Sequence, residues 1–241
     1  MTLLLAGALC LGLASIVGGA TGFGTALIST PLMLLVGFAV PEIVTINLVT
    51  GLVIRATVAI RLRHCIDWPR VALFGVGSIP GAWLGAETVS ALPAHYLKPA
   101  AGAVVMLCGI WMAIPTRTEP RVPSTAALTV TGAVGGYLGT TTSLNGPPPV
   151  LLLTRARLPP LAFIADLAGY FIVTNAVSLL LLWSRDAIPR AVLWPTLPEL
   201  VAAALVGNLV GLWVARRLPT QVFRSTVITL VVIAGACTLV L

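Results

Sequence analysis

The stretch Gly18-Gly19-Ala20-Thr21-Gly22-Phe23-Gly24-Thr25 interrupts an apolar run that extends from Leu3 to Val36. Such a run exceeds the ~20 residues that a helix needs to cross a bilayer, and four glycines within seven positions weaken its centre. The reading is two limbs with an opened backbone between them, spanning 3–36. A second break, Gly135-Gly136-Tyr137-Leu138-Gly139-Thr140-Thr141-Thr142-Ser143-Leu144-Asn145-Gly146-Pro147-Pro148-Pro149, lies inside the apolar run from Ala126 to Leu153. Paired Gly/Pro interruptions in matching places of two halves are the sequence mark of a binding site inside a membrane protein.

Composition excludes most other classes. Over 241 residues the chain is 58% hydrophobic and 9% charged, with a mean hydropathy of +1.05, far outside the range of soluble domains. The net charge of +7 does not imply a nucleic-acid partner, because the basic residues fall singly or in pairs between apolar runs. They read as cytoplasmic loops of a protein held in a lipid bilayer. Cys10, Cys65, Cys108 and Cys237 are far apart and only Cys65 has a histidine beside it, His64, so neither a metal site nor a dithiol relay is expected. No cofactor and no catalytic group are expected. No Lys or Arg precedes Arg55, so no cleaved signal peptide is expected.

In chain order the sequence predicts an N-terminal repeat over 1–114, with the hairpin 3–36 followed by spans 41–62, 69–89 and 93–114. A polar, Pro-rich linker occupies 115–123. The C-terminal repeat, 124–241, holds the hairpin 126–153 and spans 160–183, 192–215 and 220–241. Proline at the start of several spans costs nothing, since the first N–H groups of a helix have no intrahelical acceptor. Gly81-Ala82-Trp83-Leu84-Gly85 followed by Leu92-Pro93 is matched by Gly207-Asn208-Leu209-Val210-Gly211 followed by Leu218-Pro219, at one offset of 126. Asn47 falls six residues after Pro41, as Asp166 does after Pro160.

Loop charge discriminates between two topologies. If both broken segments cross the bilayer, the loop basics divide as seven against six, which sets no orientation. If both are re-entrant, Arg61, Arg63, Arg70, Arg117, Arg121, Arg155, Arg157, Arg216, Arg217 and Arg224 share one face against Lys98, Arg185 and Arg190. Ten against three is what the positive-inside rule expects. The expected fold class is thus an all-α polytopic membrane protein of two inverted repeats, each a broken re-entrant hairpin plus three transmembrane helices, with both termini outside.

The same residues resemble a known family. The run Gly18 to Thr25 followed by Thr30-Pro31-Leu32, its partner from Gly135-Gly136 to Asn145-Gly146-Pro147-Pro148, and the duplicated Gly81/Gly85/Leu92-Pro93 pattern are similar to those of the sulfite exporter TauE/SafE family, also called the toluene sulfonate uptake permease family. The resemblance covers essentially the whole chain. It implies a multi-pass protein of a bacterial or archaeal cell inner membrane that moves sulfite or small organosulfonate anions, generally outward and driven by an ion gradient. Thr140-Thr141-Thr142 and the three prolines depart from a simple Gly-rich second break.

Independently of the resemblance, a helix that begins inside a membrane offers unpaired N–H groups and the positive end of its dipole to an anion. The expected substrate-binding residues are Gly22, Phe23, Gly24 and Thr25 at the first tip and Thr140, Thr141, Thr142, Ser143, Asn145 and Gly146 at the second. Gly24 is expected to need a positive φ. The alternative is that these small and hydroxylated residues only pack helices and satisfy their own backbone. Asn47, Arg55 and Asn175 are further candidates for the cavity, against cross-helix bonding for the asparagines and snorkelling for Arg55. Asp166 is expected either to carry a coupling proton or to form a structural pair, for instance with Arg55. Glu42 and Glu199 sit near helix starts, where a carboxylate favours the dipole. Expected partners are a small sulfur-containing or organic anion, the bilayer and, through the Gly-xxx-Gly faces, a second copy in a homodimer. The rival readings are an anion uptake permease or channel and, from another class, a membrane-embedded enzyme or redox carrier, which the lack of a His/Cys/Glu cluster in the spans disfavours.

Overall fold

The computed structural model describes residues 2–91, 123–215, 217 and 229, and every regular element formed by the described residues is helical. In order these are α1 (Thr2–Thr21), α2 (Thr25–Val36), α3 (Val40–Arg61), a single 3-10 turn (Arg63–Cys65), α4 (Trp68–Ala91), α5 (Thr125–Thr142), α6 (Pro147–Arg155), α7 (Pro160–Ser184), a short α8 (Arg190–Leu193) and α9 (Thr196–Ala215). The expected spans 93–114 and 220–241 lie outside the described residues, apart from Thr229 within the second.

 The linker 115–123 also lies outside them up to residue 122. Helices 3–21, 40–61, 160–184 and 196–214 are long and apolar enough to cross a membrane. The chain is an all-α polytopic membrane protein.

Local chemistry sets the helix ends. Ser124 caps α5 by accepting from the Ala127 N–H (3.2 Å), and Asp67 caps α4 by accepting from the Arg70 N–H (3.1 Å). Glu42 reaches back to the Ala39 N–H (2.8 Å) and holds the start of α3, the structural role given to it above. The segment expected over 192–215 is divided, because Pro195 has no N–H and disfavours helical geometry at Trp194 before it; α9 therefore starts at Thr196.

Both broken segments have one long and one short limb. At ~1.5 Å per residue, α1 and α5 are about 30 and 27 Å long, while α2 and α6 are about 18 and 14 Å. The long limbs pack on the other half of the chain. A Cβ on Gly81 would collide with the Ala133 carbonyl, and one on Gly85 would lie 2.9 Å from that of Tyr137; likewise Gly207 meets the Gly12 carbonyl and Gly211 that of Ile16. The order of these contacts makes α4 parallel to α5 and α1 parallel to α9. The two crossings are built from equivalent positions, so backbone-to-backbone approach at small residues replaces the hydrophobic drive that lipid does not supply.

Helix α7 joins the two crossings. Its start lies beside the start of α4, where Asp166 pairs with Arg70, and its end beside the end of α4, where Arg185 meets Glu87 at 2.5 Å. Helix α3 runs antiparallel to α7, with Gly51 against Asn175 and Arg55 over Phe171. Exposed Trp68 and Trp213 mark one end of the bundle and exposed Trp183 and Trp194 the other, as aromatic side chains do at the two membrane interfaces.

The glycine crossings give a direct expectation. Gly207→Ala should destabilise the protein in detergent by about 1–3 kcal/mol, the usual cost of overpacking, because a methyl there meets the Gly12 carbonyl. Gly12→Ala, on the other side of the same crossing, meets only an ordinary 3.6 Å contact and should leave the melting temperature unchanged. Equal melting temperatures for the two variants would contradict this packing.

Candidate functional site

The two hairpin tips meet in the middle of the bundle. At the first, Gly22 adopts φ +88, a conformation that a side chain resists, and a Cβ there would lie 3.1 Å from Ile164. Gly24 has φ −67, so the positive φ expected of it belongs instead to Gly22, where α1 stops and the chain reverses. Thr21 uses its hydroxyl twice, donating to the Val17 carbonyl (2.8 Å) and accepting from the Gly24 N–H (3.3 Å). The first backbone bond within α2 runs from Ile28 N–H to Gly24 O (3.2 Å). The N–H groups of Thr25, Ala26 and Leu27 therefore precede any acceptor of their own helix. The Thr25 hydroxyl is buried without a partner among the described residues, and it faces Gly18 of α1 rather than the second tip.

The second tip is chemically different. Ser143 takes a left-handed conformation (φ 60) and closes α5, its N–H donating to Gly139 O (3.0 Å) and that of Leu144 to Leu138 O (3.3 Å). Helix α6 opens with Pro147, Pro148 and Pro149, which have no N–H, and its first backbone bond runs from Val150 N–H to Gly146 O (3.1 Å). The first turn of α6 thus offers no donors, although the expectation above gave both tips an equal row of them. The hydroxyls of Thr140, Thr141 and Thr142 donate to the carbonyls of Gly136, Tyr137 and Leu138 on their own helix. That is the self-satisfying arrangement weighed against binding. Thr140 also shares a hydrogen bond with Ser178 (2.8 Å).

The asparagines tie the tips to the long helices. Asn47 on α3 accepts from Ser29 (2.7 Å) and donates to Thr30 (3.0 Å) and Ser143 (3.2 Å), so one side chain touches both hairpins. Asn145 donates to Asn175 Oδ1 (2.8 Å) and keeps a second amide hydrogen. Phe23 of the first tip packs against Gly146 of the second, whose other neighbour is Phe171. Over the Phe171 ring, 5.4 Å from its centroid, lies the guanidinium of Arg55. Arg55 is only 4% exposed, its Nη1 has no hydrogen-bond partner, and it forms no ion pair among the described residues. A cation held so deep is costly unless something of opposite charge joins it.

Asp166 has a partner, but a different one from that suggested above. Its carboxylate accepts from the Arg70 guanidinium and from the Asp67 N–H (2.8 Å). Arg70 was not singled out as this partner, because the sequence alone does not show that α4 and α7 start side by side. Arg55 is instead turned toward Phe171. Ser29, Thr30, Phe171 and Ser178 were not singled out in the sequence because isolated hydroxyl and aromatic residues in an apolar span carry no positional signal. Among the described residues no group of His, Cys, Asp and Glu is placed to hold a metal ion.

A family model described as sulfite exporter TauE/SafE matches residues 7–238. The chain belongs to the sulfite exporter TauE/SafE family. A relative in Cupriavidus necator, described as a probable sulfite/organosulfonate exporter TauE, is 28% identical over 198 residues, covering 78% of this chain and 76% of its own length. No solved structure matches the chain. Members of this family are membrane transporters by that description, and the apolar helices here agree with a membrane protein.

The asparagine contact between the second tip and α7 can be measured. In a double-mutant cycle with Asn145→Ala and Asn175→Ala, the coupling energy for unfolding should be about 0.6 kcal/mol, the mean for hydrogen bonds between membrane helices. A coupling of zero would show that the two amides do not pair.

Proposed function

We propose that this chain exports sulfite or small organosulfonate anions across a bacterial or archaeal inner membrane by alternating access, driven by the proton gradient. The observation that carries the reading is Arg55, a buried cation with no counter-ion among the described residues, set beside the meeting point of the two tips. The substrate anion supplies the missing charge. Its oxygens accept from Arg55 and from the N–H groups that open α2, while Asn145 adds a neutral donor from the second tip. The name and family of the relative support sulfur oxyanions as the class, since a planar guanidinium and a row of N–H groups suit a group with several equivalent oxygens.

Alternating access rests on two inverted repeats with re-entrant hairpins that open to opposite faces. The parallel pairs α4/α5 and α1/α9 support it, as does the reversal of the chain at each tip. Each end of the α4/α7 pair is closed by one ion pair, Asp166 with Arg70 at one end and Glu87 with Arg185 at the other. The ten-to-three division of basic residues supports a cytoplasmic location for the Asp166 end and an outer one for the termini. Proton coupling enters at Asp166: a protonated carboxyl no longer holds Arg70, and the cytoplasmic end of α7 separates from α4.

Two variants test this. Arg55→Gln should weaken methanesulfonate binding about ten- to a hundredfold, as expected for losing a hydrogen bond to a charged group worth ~1.5–3 kcal/mol. Calorimetry on monodisperse protein reads it, and wild-type affinity would remove Arg55 from the site. Asp166→Asn should bind the anion yet lose dependence of flux on an imposed proton gradient in proteoliposomes. Gradient-driven flux at the wild-type level in that variant would return Asp166 to a purely structural role.

A further inference from the structure

We infer that the site selects its substrate by charge state and carries a monoanion, which makes bisulfite rather than dianionic sulfite the form recognised. The inference rests on the transport reading above and deepens it. Among the described residues Arg55 is the one buried cation outside an ion pair. Among the described residues the other groups packed around it add no positive charge. On α7, Asp166 is engaged by Arg70, and Tyr170 is neutral. On α3 itself, Glu42 and Arg61 lie at opposite ends of the helix, and α2 carries no titratable side chain. On α4, Arg70 is shared between Asp166 and the half-exposed Asp67, while Glu87 and Arg185 pair with each other at the far end. On α5, Tyr137 is neutral, and Arg155 stands at the far end of α6, away from the tip. Glu199 is in the first turn of α9.

The backbone N–H groups of Thr25, Ala26 and Leu27 are dipoles, which orient an anion but cannot neutralise a full second charge. The prolines of the second tip take away the matching row of dipoles. One guanidinium and one row of N–H groups therefore balance one negative charge. A dianion would leave a net buried charge in a low-dielectric bundle, and such a charge is strongly disfavoured. Sulfonates are singly charged throughout the physiological range and sulfate doubly charged, whereas sulfite passes from one state to the other near neutral pH. This makes the three anions a graded probe of the same site.

The test is equilibrium binding of sulfite, methanesulfonate and sulfate to the purified full chain in detergent, over the pH range in which sulfite loses its second proton. Expressing the sulfite affinity relative to that for methanesulfonate cancels any titration of the protein. That ratio should fall about tenfold per pH unit once the dianion dominates, as linkage requires when one protonation state alone binds. Sulfate should not compete. Arg55→Lys, which keeps the charge, should retain the same preference for the monoanion, and Arg55→Gln should weaken binding of all three anions without admitting sulfate. A ratio that stays constant with pH, or sulfate competing as well as methanesulfonate, overturns the inference while leaving the transport reading intact. If the wild-type chain binds none of the three anions, the transport reading falls and the inference with it.

Discussion

A backbone opened inside a bilayer must find partners for its N–H and C=O groups without help from water, and this constraint shapes the centre of the molecule. The two hairpins meet it in different ways. The second tip closes on itself through a left-handed cap at Ser143, prolines without N–H groups, and threonines that bond to their own helix. The first tip leaves the N–H groups of Thr25, Ala26 and Leu27 ahead of any intrahelical acceptor, and the nearby Arg55 has no counter-ion among the described residues. One tip is satisfied by its own residues, and the other keeps the donors that the proposed substrate engages.

The surrounding helices hold the tips in register. Glycine contacts between α4 and α5 recur between α1 and α9, so each long limb is clamped to the half of the chain that it does not belong to. Asn47 links the first hairpin to the second through Thr30 and Ser143, and Asn175 secures Asn145 from the opposite helix. The crossings are not identical. Ser15 and Asn208 are buried polar residues without partners among the described residues at the α1/α9 crossing, where Gly136 and Ala82 occupy the equivalent places at the other.

Much of this was legible in the sequence because it depends on residue types with few physical meanings. Long apolar runs define membrane helices, and the glycine cluster at 18–24 marks the break, although the positive φ falls at Gly22 and not at Gly24 as expected. The three prolines at 147–149 also carried a message that the expected row of donors overlooked, since proline removes the very N–H groups on which that expectation depended. Other features were not legible. Whether a threonine hydroxyl faces a ligand or its own helix depends on a rotamer, and Thr141 has the same letter in either case. The pairing of Asp166 with Arg70 required knowing that α7 and α4 start side by side, which is a property of packing rather than of either segment.

The central claim is that the two tips meet, and it can be tested by a cross-link. The Cβ of Phe23 lies 3.5 Å from the position that a Cβ on Gly146 would occupy, within the range over which a disulfide forms without moving the backbone. In a background without the native cysteines, Phe23→Cys with Gly146→Cys should cross-link on mild oxidation in native membranes, and a saturating sulfonate should slow the reaction. If each cysteine can be labelled alone but the pair never cross-links, the tips do not meet and the account of a shared site is contradicted.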